Sequence, residues 1–156
     1  MATEPLEELP GAEPLRILVV DDNRDSASSL GLLLQIMGNT VRVAYNGAEA
    51  LEVADGFRPN AILLDIGLPK VNGYEVARTI RSRPWGEQVV LVAVTGWGND
   101  DARRSSTEAG FDHHLVKPFD PAAVMQVLRR EVANRAPALR PAIPVDTFPA
   151  DSTIEP

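Results

Sequence analysis

Short apolar runs alternate with stretches in which apolar residues recur every three or four positions, five times over. Arg16–Asp21, Thr40–Tyr45, Ala61–Asp65, Val89–Thr95 and His113–Val116 read as strands. Most are unbroken apolar runs, the pattern of strands buried on both faces. Thr40–Tyr45 alternates instead, so one of its faces is expected to be less buried. Between the strands the period changes to helical. Leu30, Leu33, Leu34 and Met37 mark one face of a first helix, which Gly38 stops. Asn46 can cap a second helix, with Glu49 in capping-box position and Ala50, Val53, Ala54 and Phe57 inward. Asn72 can cap a third, with Val76, Ala77 and Ile80 inward. A fourth helix, about Asp101 to Ala109, offers only Ala102, Ser105, Ser106 and Ala109; such small residues bury little area, so it is expected to be the least firmly held. Asp120 as N-cap and Pro121 at the first helical position open a fifth, with Val124, Val127, Leu128 and Val132 inward.

Five strands alternating with five helices imply an α/β fold: a doubly wound five-stranded parallel sheet with helices on both faces. The flavodoxin-like strand order 2-1-3-4-5 is expected from the frequency of that fold. Residues 1–14 read as a flexible N-terminal segment and 15–133 as one domain. Residues 134–156, with Pro137, Pro141, Pro144 and Pro149, read as a Pro-rich flexible tail without helix.

Composition narrows the function classes. The net charge of −7 leaves no basic footprint for nucleic acid. The absence of cysteine removes disulfides and thiolate metal sites. The acidic N-terminus has neither half of a signal peptide, and no apolar run approaches the ~20 residues of a membrane span. A soluble cytoplasmic protein is expected, with no nucleic-acid or membrane partner.

Candidate chemistry lies at the strand ends. Asp21 and Asp22 follow the first strand, Asp65 ends the third, Thr95 the fourth, and Lys117 follows the fifth. In open α/β sheets ligands bind outside the carboxyl ends of strands. Taken singly, each group has an ordinary role. Asp21 and Asp22 could cap a helix, Asp65 could start a turn, Thr95 could simply end a strand, and Lys117 could be a solvated loop lysine. Together they form a set for phosphoryl transfer. Three close carboxylates repel unless a cation sits among them, and an all-oxygen donor set favours a hard ion, Mg²⁺. Asp65 is then the nucleophile, with a hydroxyl at Thr95 and an ammonium at Lys117. Adjacent strand residues point to opposite faces, so His113 and His114 do not suggest a shared metal.

The chain resembles the receiver domains of two-component response regulators. The resemblance rests on Val19-Val-Asp-Asp-Asn23, Leu63-Leu-Asp-Ile-Gly-Leu-Pro69 with Gly73, Val94-Thr95 and Leu115-Val-Lys-Pro-Phe119, and spans about residues 16 to 133. It implies that Asp65 is the phosphoacceptor. It also implies that Asp22, Asp65 and the Gly67 carbonyl bind Mg²⁺ directly while Asp21 holds a metal-bound water. Thr95 and Lys117 would contact the phosphoryl group, and Lys117-Pro118 would be cis. The phosphoryl donor it implies is a sensor histidine kinase or a histidine phosphotransferase, and the output is contact with a downstream protein. Family members usually carry Tyr or Phe three residues before the lysine as a switch; here that position is His114. Gly67 and Trp97 stand where the family tunes phosphoryl lifetime.

Three readings follow. The first is a stand-alone regulator without a DNA-binding domain. It is no enzyme beyond its own phosphotransfer and dephosphorylation, and it signals through the face of the fourth helix, fifth strand and fifth helix. The second is the C-terminal receiver segment of a hybrid histidine kinase, which the Thr-Gly-Trp-Gly run and Gly110–His114 resemble. The third is an aspartyl-phosphate phosphohydrolase; it would need a general acid two residues after Asp65, where Gly67 stands. A flavodoxin-like cofactor binder is disfavoured, because Asp21–Asp25 is acidic where a phosphate cradle would lie.

Overall fold

The computed structural model describes residues 14–66, 72–96 and 100–139, the side chains of 100–102 and 136–139 excepted. In chain order the elements are β1 Arg16–Val20, α1 Arg24–Ile36, β2 Thr40–Ala44, α2 Gly47–Phe57, β3 Ala61–Asp65, α3 Gly73–Ser82, β4 Val90–Thr95, α4 Asp100–Ala109, β5 His113–Val116 and α5 Pro121–Leu139. All strand pairs are parallel, as the alternation implied, and the order is β2-β1-β3-β4-β5, the one expected from the frequency of the fold.

The period of two along each strand divides the core into two layers. Leu18, Val20, Ile62, Leu64, Leu91 and Ala93 pack with residues of α2, α3 and α4. Ile17, Val19, Leu63, Val92 and Val94 pack with residues of α1 and α5. Ile17, Leu18, Ile62, Leu64 and Leu91 are completely buried, each burial stabilising by roughly 1.5–3 kcal/mol. Because every strand runs the same way, every carboxyl end reaches the same edge. β1 and β3 are in register through Val20 and Leu64, β3 and β4 through Asp65 and Val94, β4 and β5 through Thr95 and Val116.

Asparagines set three of the helix starts. The side-chain oxygens of Asn23, Asn46 and Asn72 accept from the N–H groups of Ser26, Glu49 and Tyr74 at 2.9, 2.8 and 2.7 Å. Glu49 completes a reciprocal cap by accepting from the Tyr45 N–H at 2.8 Å. Asp120 caps α5 by accepting from Ala122 N–H at 3.0 Å. Each such cap contributes ~1 kcal/mol. α1 ends where Gly38, at φ +101°, turns the chain left-handed and its N–H donates to the Gln35 carbonyl.

Three local expectations are corrected. α1 does not bury the Leu30–Met37 face: it buries Ala27, Gly31 and Leu34, while Leu33 and Met37 are 44% and 38% exposed. The cause is Gly31, where a Cβ would lie 3.1 Å from a Val43 methyl. The helix approaches β2 through its smallest residue; Leu34 stays buried and Leu30 half-buried against the core, while Leu33 and Met37 are turned aside. In α4, Ser106 and Ala109 are buried but Ser105 is exposed. α5 continues to Leu139, past Asn134, where the apolar periodicity ends. Its last turns are tied down by polar contacts: Arg135 pairs with Asp112 at 2.5 Å and with Glu131 at 3.6 Å. Residues 1–13 and 140–156, expected to be flexible, lie outside the described residues. Among the described residues, no helix is long and apolar enough to cross a membrane.

Candidate functional site

Asp21 continues from β1 by donating its N–H to the Ala44 carbonyl at 3.1 Å, and its side chain is largely buried. One carboxylate oxygen accepts from the Asn23 N–H at 3.0 Å. Asn23, not Asp21 or Asp22, caps α1, and Asn72, not Asp65, caps α3. The capping roles that could have explained these aspartates are therefore taken by other residues. Asp21, Asp22 and Asp65 each offer a carboxylate oxygen within 4.8 Å of the others, with Asp22 exposed and Asp65 half-buried. Such a cluster is strongly self-repelling without a counter-charge.

Lys117 supplies part of that counter-charge. Its Nζ lies 3.4 Å from Asp21 Oδ2 and 3.5 Å from Asp65 Oδ2. Its backbone N–H donates to the Thr95 carbonyl at 2.8 Å, which fixes the start of the Lys117-Pro118 turn to the end of β4. The Lys117-Pro118 bond is cis. Partial burial of Lys117 works against its charge, but the attraction of Asp21 and then Asp65, with their hydrogen bonds, prevails. The pKa is held above its ordinary 10.5. Thr95, buried, ends β4 at the same edge.

Gly73 explains how α3 can start so close to the site. A Cβ there would come within 2.6 Å of the Ile66 Cα and 3.0 Å of the Asp65 carbonyl oxygen. His114 lies in register with Ala93, and its Nδ1 is 3.3 Å from the hydroxyl of Ser106 on α4, so its ring is turned toward that helix. Gly67 and Trp97 lie outside the described residues.

One feature of the site escaped the sequence reading. A cavity of about 320 Å³ opens beside Asp65 and Lys117, with Leu30, Leu33, Val94 and Phe119 among its walls. Leu33 also belongs to an exposed apolar strip on α1 with Leu32, Ile36 and Met37. The signal was present: Leu30 to Met37 holds more large apolar residues than one helix face can bury.

The donor set fits a hard divalent cation. It is all oxygen, anionic and partly solvated, the character of a magnesium site rather than a thiolate or imidazole one. The buried and half-buried carboxylates beside a lysine are also suited to accept a phosphoryl group.

Comparison with known proteins points the same way. The family model for the response regulator receiver domain matches residues 17–129. Response regulator MprA of Mycobacterium sp. (strain KMS) is 35% identical over 143 residues, covering 92% of this chain and 61% of its own length. The chain thus spans about six-tenths of that relative. Among solved structures, a CheY-like receiver domain protein from Methanospirillum hungatei JF-1 superposes with a TM-score of 0.73 at 26% identity, covering 81% of this chain and 99% of that one. The receiver domain of a sensor histidine kinase from Pseudomonas aeruginosa PAO1 superposes with a TM-score of 0.71 at 31% identity, covering 77% and 98%; it was solved with a magnesium ion coordinated in its active site cleft. With strand order, carboxylate cluster and matched residues in agreement, the chain belongs to the response regulator receiver domain family.

Proposed function

We propose that this domain takes a phosphoryl group from a phosphohistidine on a sensor histidine kinase or histidine phosphotransferase and carries it on Asp65. The observation that carries the reading is the position of Asp65, ending β3 within 4.8 Å of two further carboxylates and 3.5 Å from the Lys117 ammonium. A carboxylate oxygen of Asp65 attacks phosphorus, the P–N bond to the donor imidazole breaks, and an acyl phosphate forms. Mg²⁺ held by Asp22 and Asp65, with Asp21 behind it, would neutralise phosphoryl oxygens when bound. Lys117 already pairs with Asp65 and supplies a second positive charge for those oxygens. Thr95 offers a hydroxyl to the phosphorylated state. The protein is no enzyme beyond this self-catalysed transfer and the hydrolysis of its own acyl phosphate to inorganic phosphate.

Output follows from the same edge. Movement of Thr95 toward the phosphoryl group would change the space beside β5. His114, bonded to Ser106 on the small-residue helix α4, is positioned to pass that change to the α4–β5–α5 face. The effect is read by a partner protein in the cytoplasm, without DNA contact by this domain. A second setting with the same chemistry is the receiver segment of a hybrid kinase; the likeness to a receiver of a sensor histidine kinase is its support, at an identity of 31%.

Acetyl phosphate with Mg²⁺ should label the protein once, at Asp65, giving a hydroxylamine-labile acyl phosphate. Asp65→Asn should abolish labelling and a chelator should suppress it. Full labelling of the Asn variant would overturn the assignment.

A further inference from the structure

At the opposite end of the sheet, where the strands begin, a second cavity of about 290 Å³ is walled by Arg16, Arg58, Trp85, Val132 and Arg135 among others. Arg135 is neutralised by Asp112 and Glu131. Arg16 and Arg58 are not. Their Nε atoms donate to the carbonyls of Arg58 and Asp55, both at 2.8 Å. Among the described residues neither guanidinium has a carboxylate within 4.0 Å. Arg58 lies 5.4 Å from the centre of the half-buried Trp85 ring. Two guanidinium groups with carbonyl partners only, beside an indole and Val132, suit an acidic segment with apolar residues.

The chain contains such a segment shortly before Arg16 in sequence. Residues 1–13 hold Glu4, Glu7, Glu8 and Glu13, no Lys or Arg, and Leu6 and Leu9. They carry four of the seven net negative charges, whereas residues 14–139 have fifteen carboxylates against fourteen Lys and Arg. Glu13 is three residues from Arg16, so the chain keeps it within about 11 Å of the cavity wall. A short tether gives an effective concentration on the order of millimolar, enough for a weak docking contact. Residues 140–156 fit less well, with three carboxylates set against Arg140.

We propose that residues 1–13 dock on the Arg16–Arg58–Trp85 surface, their glutamates pairing with the two guanidinium groups and their leucines covering Trp85 and Val132. The chain has two tryptophans, so Trp97→Phe leaves Trp85 as the sole reporter. In that background, acrylamide quenching of Trp85 at low salt should rise on deletion of residues 1–13. It should rise equally when Glu4, Glu7, Glu8 and Glu13 are all changed to Gln, a change that leaves the folded core untouched. About 0.5 M salt should reproduce the rise, since it shortens the screening length to a few ångströms. A peptide of residues 1–13 added at millimolar concentration to the deleted chain should reverse it. Arg16→Gln and Arg58→Gln should each abolish that reversal. Quenching unchanged by deletion would overturn the proposal. So would a rise on deletion without one in the Gln variant, a rise only on removing residues 140–156, or a dependence on protein concentration, which would indicate a second copy.

Discussion

Asp21 and Lys117 stand ninety-six residues apart in the chain and 3.4 Å apart in the fold. Each is ordinary alone; what makes them a site is that parallel strands deliver both to one edge. The residue types and strand ends were legible because an apolar run followed by a carboxylate marks a strand's carboxyl end. The partition of roles among neighbouring polar residues was less so. Nothing in Asp21-Asp22-Asn23 says which residue caps α1, and the answer, Asn23, frees both aspartates for the cluster. The Lys117 contacts carry a sign that can be tested. Its pKa is raised in the folded state despite desolvation, because Asp21 and Asp65 favour the ammonium. Stability from these contacts is therefore complete below the unfolded value near 10.5 and is lost as pH rises through the higher folded value. Without Mg²⁺, Lys117→Met should lower the melting temperature at pH 7 to 9, with the difference from the parent narrowing above pH ~10.5. A difference constant with pH would show that the lysine's packing, not its charge, is what stabilises. The lysine is substantially exposed, so solvent screening keeps the effect small.

At the scale of elements, α1 shows where pattern reading fails. A leucine-rich face was expected to turn inward because burial of large side chains dominates stability. Close packing through Gly31 against Val43 rotates that face, so Leu33 and Met37 are exposed and join Leu32 and Ile36, 57% and 71% exposed, in one strip. An apolar strip adjoining the cavity beside Asp65 is proposed as an interaction surface, on its position as well as its composition. Ile36→Asp and Leu32→Asp should change stability by no more than about 0.5 kcal/mol and leave labelling by acetyl phosphate intact. Transfer from a phosphohistidine protein should slow by about tenfold or more, the loss of a modest interface contact of ~1.4 kcal/mol. Transfer from a panel of phosphorylated histidine kinases at the parent's rate in both variants would place the docking surface elsewhere. The opposite lesson comes from α3. Asn72, Val76, Ala77 and Ile80 read correctly because cap and apolar stripe agree, and the helix's buried small residues, Gly73 and Ala77, lie on the same face as the stripe.

Over the whole molecule, the alternation of strands and helices sufficed for a parallel sheet and for the edge that carries Asp65, while the strand order came from the frequency of that fold. Neither could show the polar network at the other end. Asp112 accepts from Arg81 at 2.7 Å, from the Leu91 N–H at 2.9 Å and from Arg135 at 2.5 Å. Arg81 also donates to the carbonyls of Gly86, Val89 and Gly110. This network joins α3, the start of β4, the turn before β5 and the end of α5. No periodicity announces it, since single polar residues far apart in sequence leave no pattern. Its consequence concerns where the domain ends. A boundary at residue 133, suggested by the last apolar position of α5, would remove Arg135 and leave one oxygen of the four-fifths-buried Asp112 without its cation. Loss of a charged hydrogen bond at a partly exposed site costs about 1–2 kcal/mol. For a domain of this size that is a fall of roughly 3–8 °C in melting temperature. Removal of residues 140–156 alone should leave the melting temperature unchanged within about 1 °C, because the paired residues remain. Arg135→Gln in the full chain should reproduce most of the larger loss, which separates the ion pair from the shortened helix. If truncation after residue 133 and truncation after residue 139 melt together, the Arg135–Asp112 contact contributes nothing and the folded unit ends where the apolar pattern does.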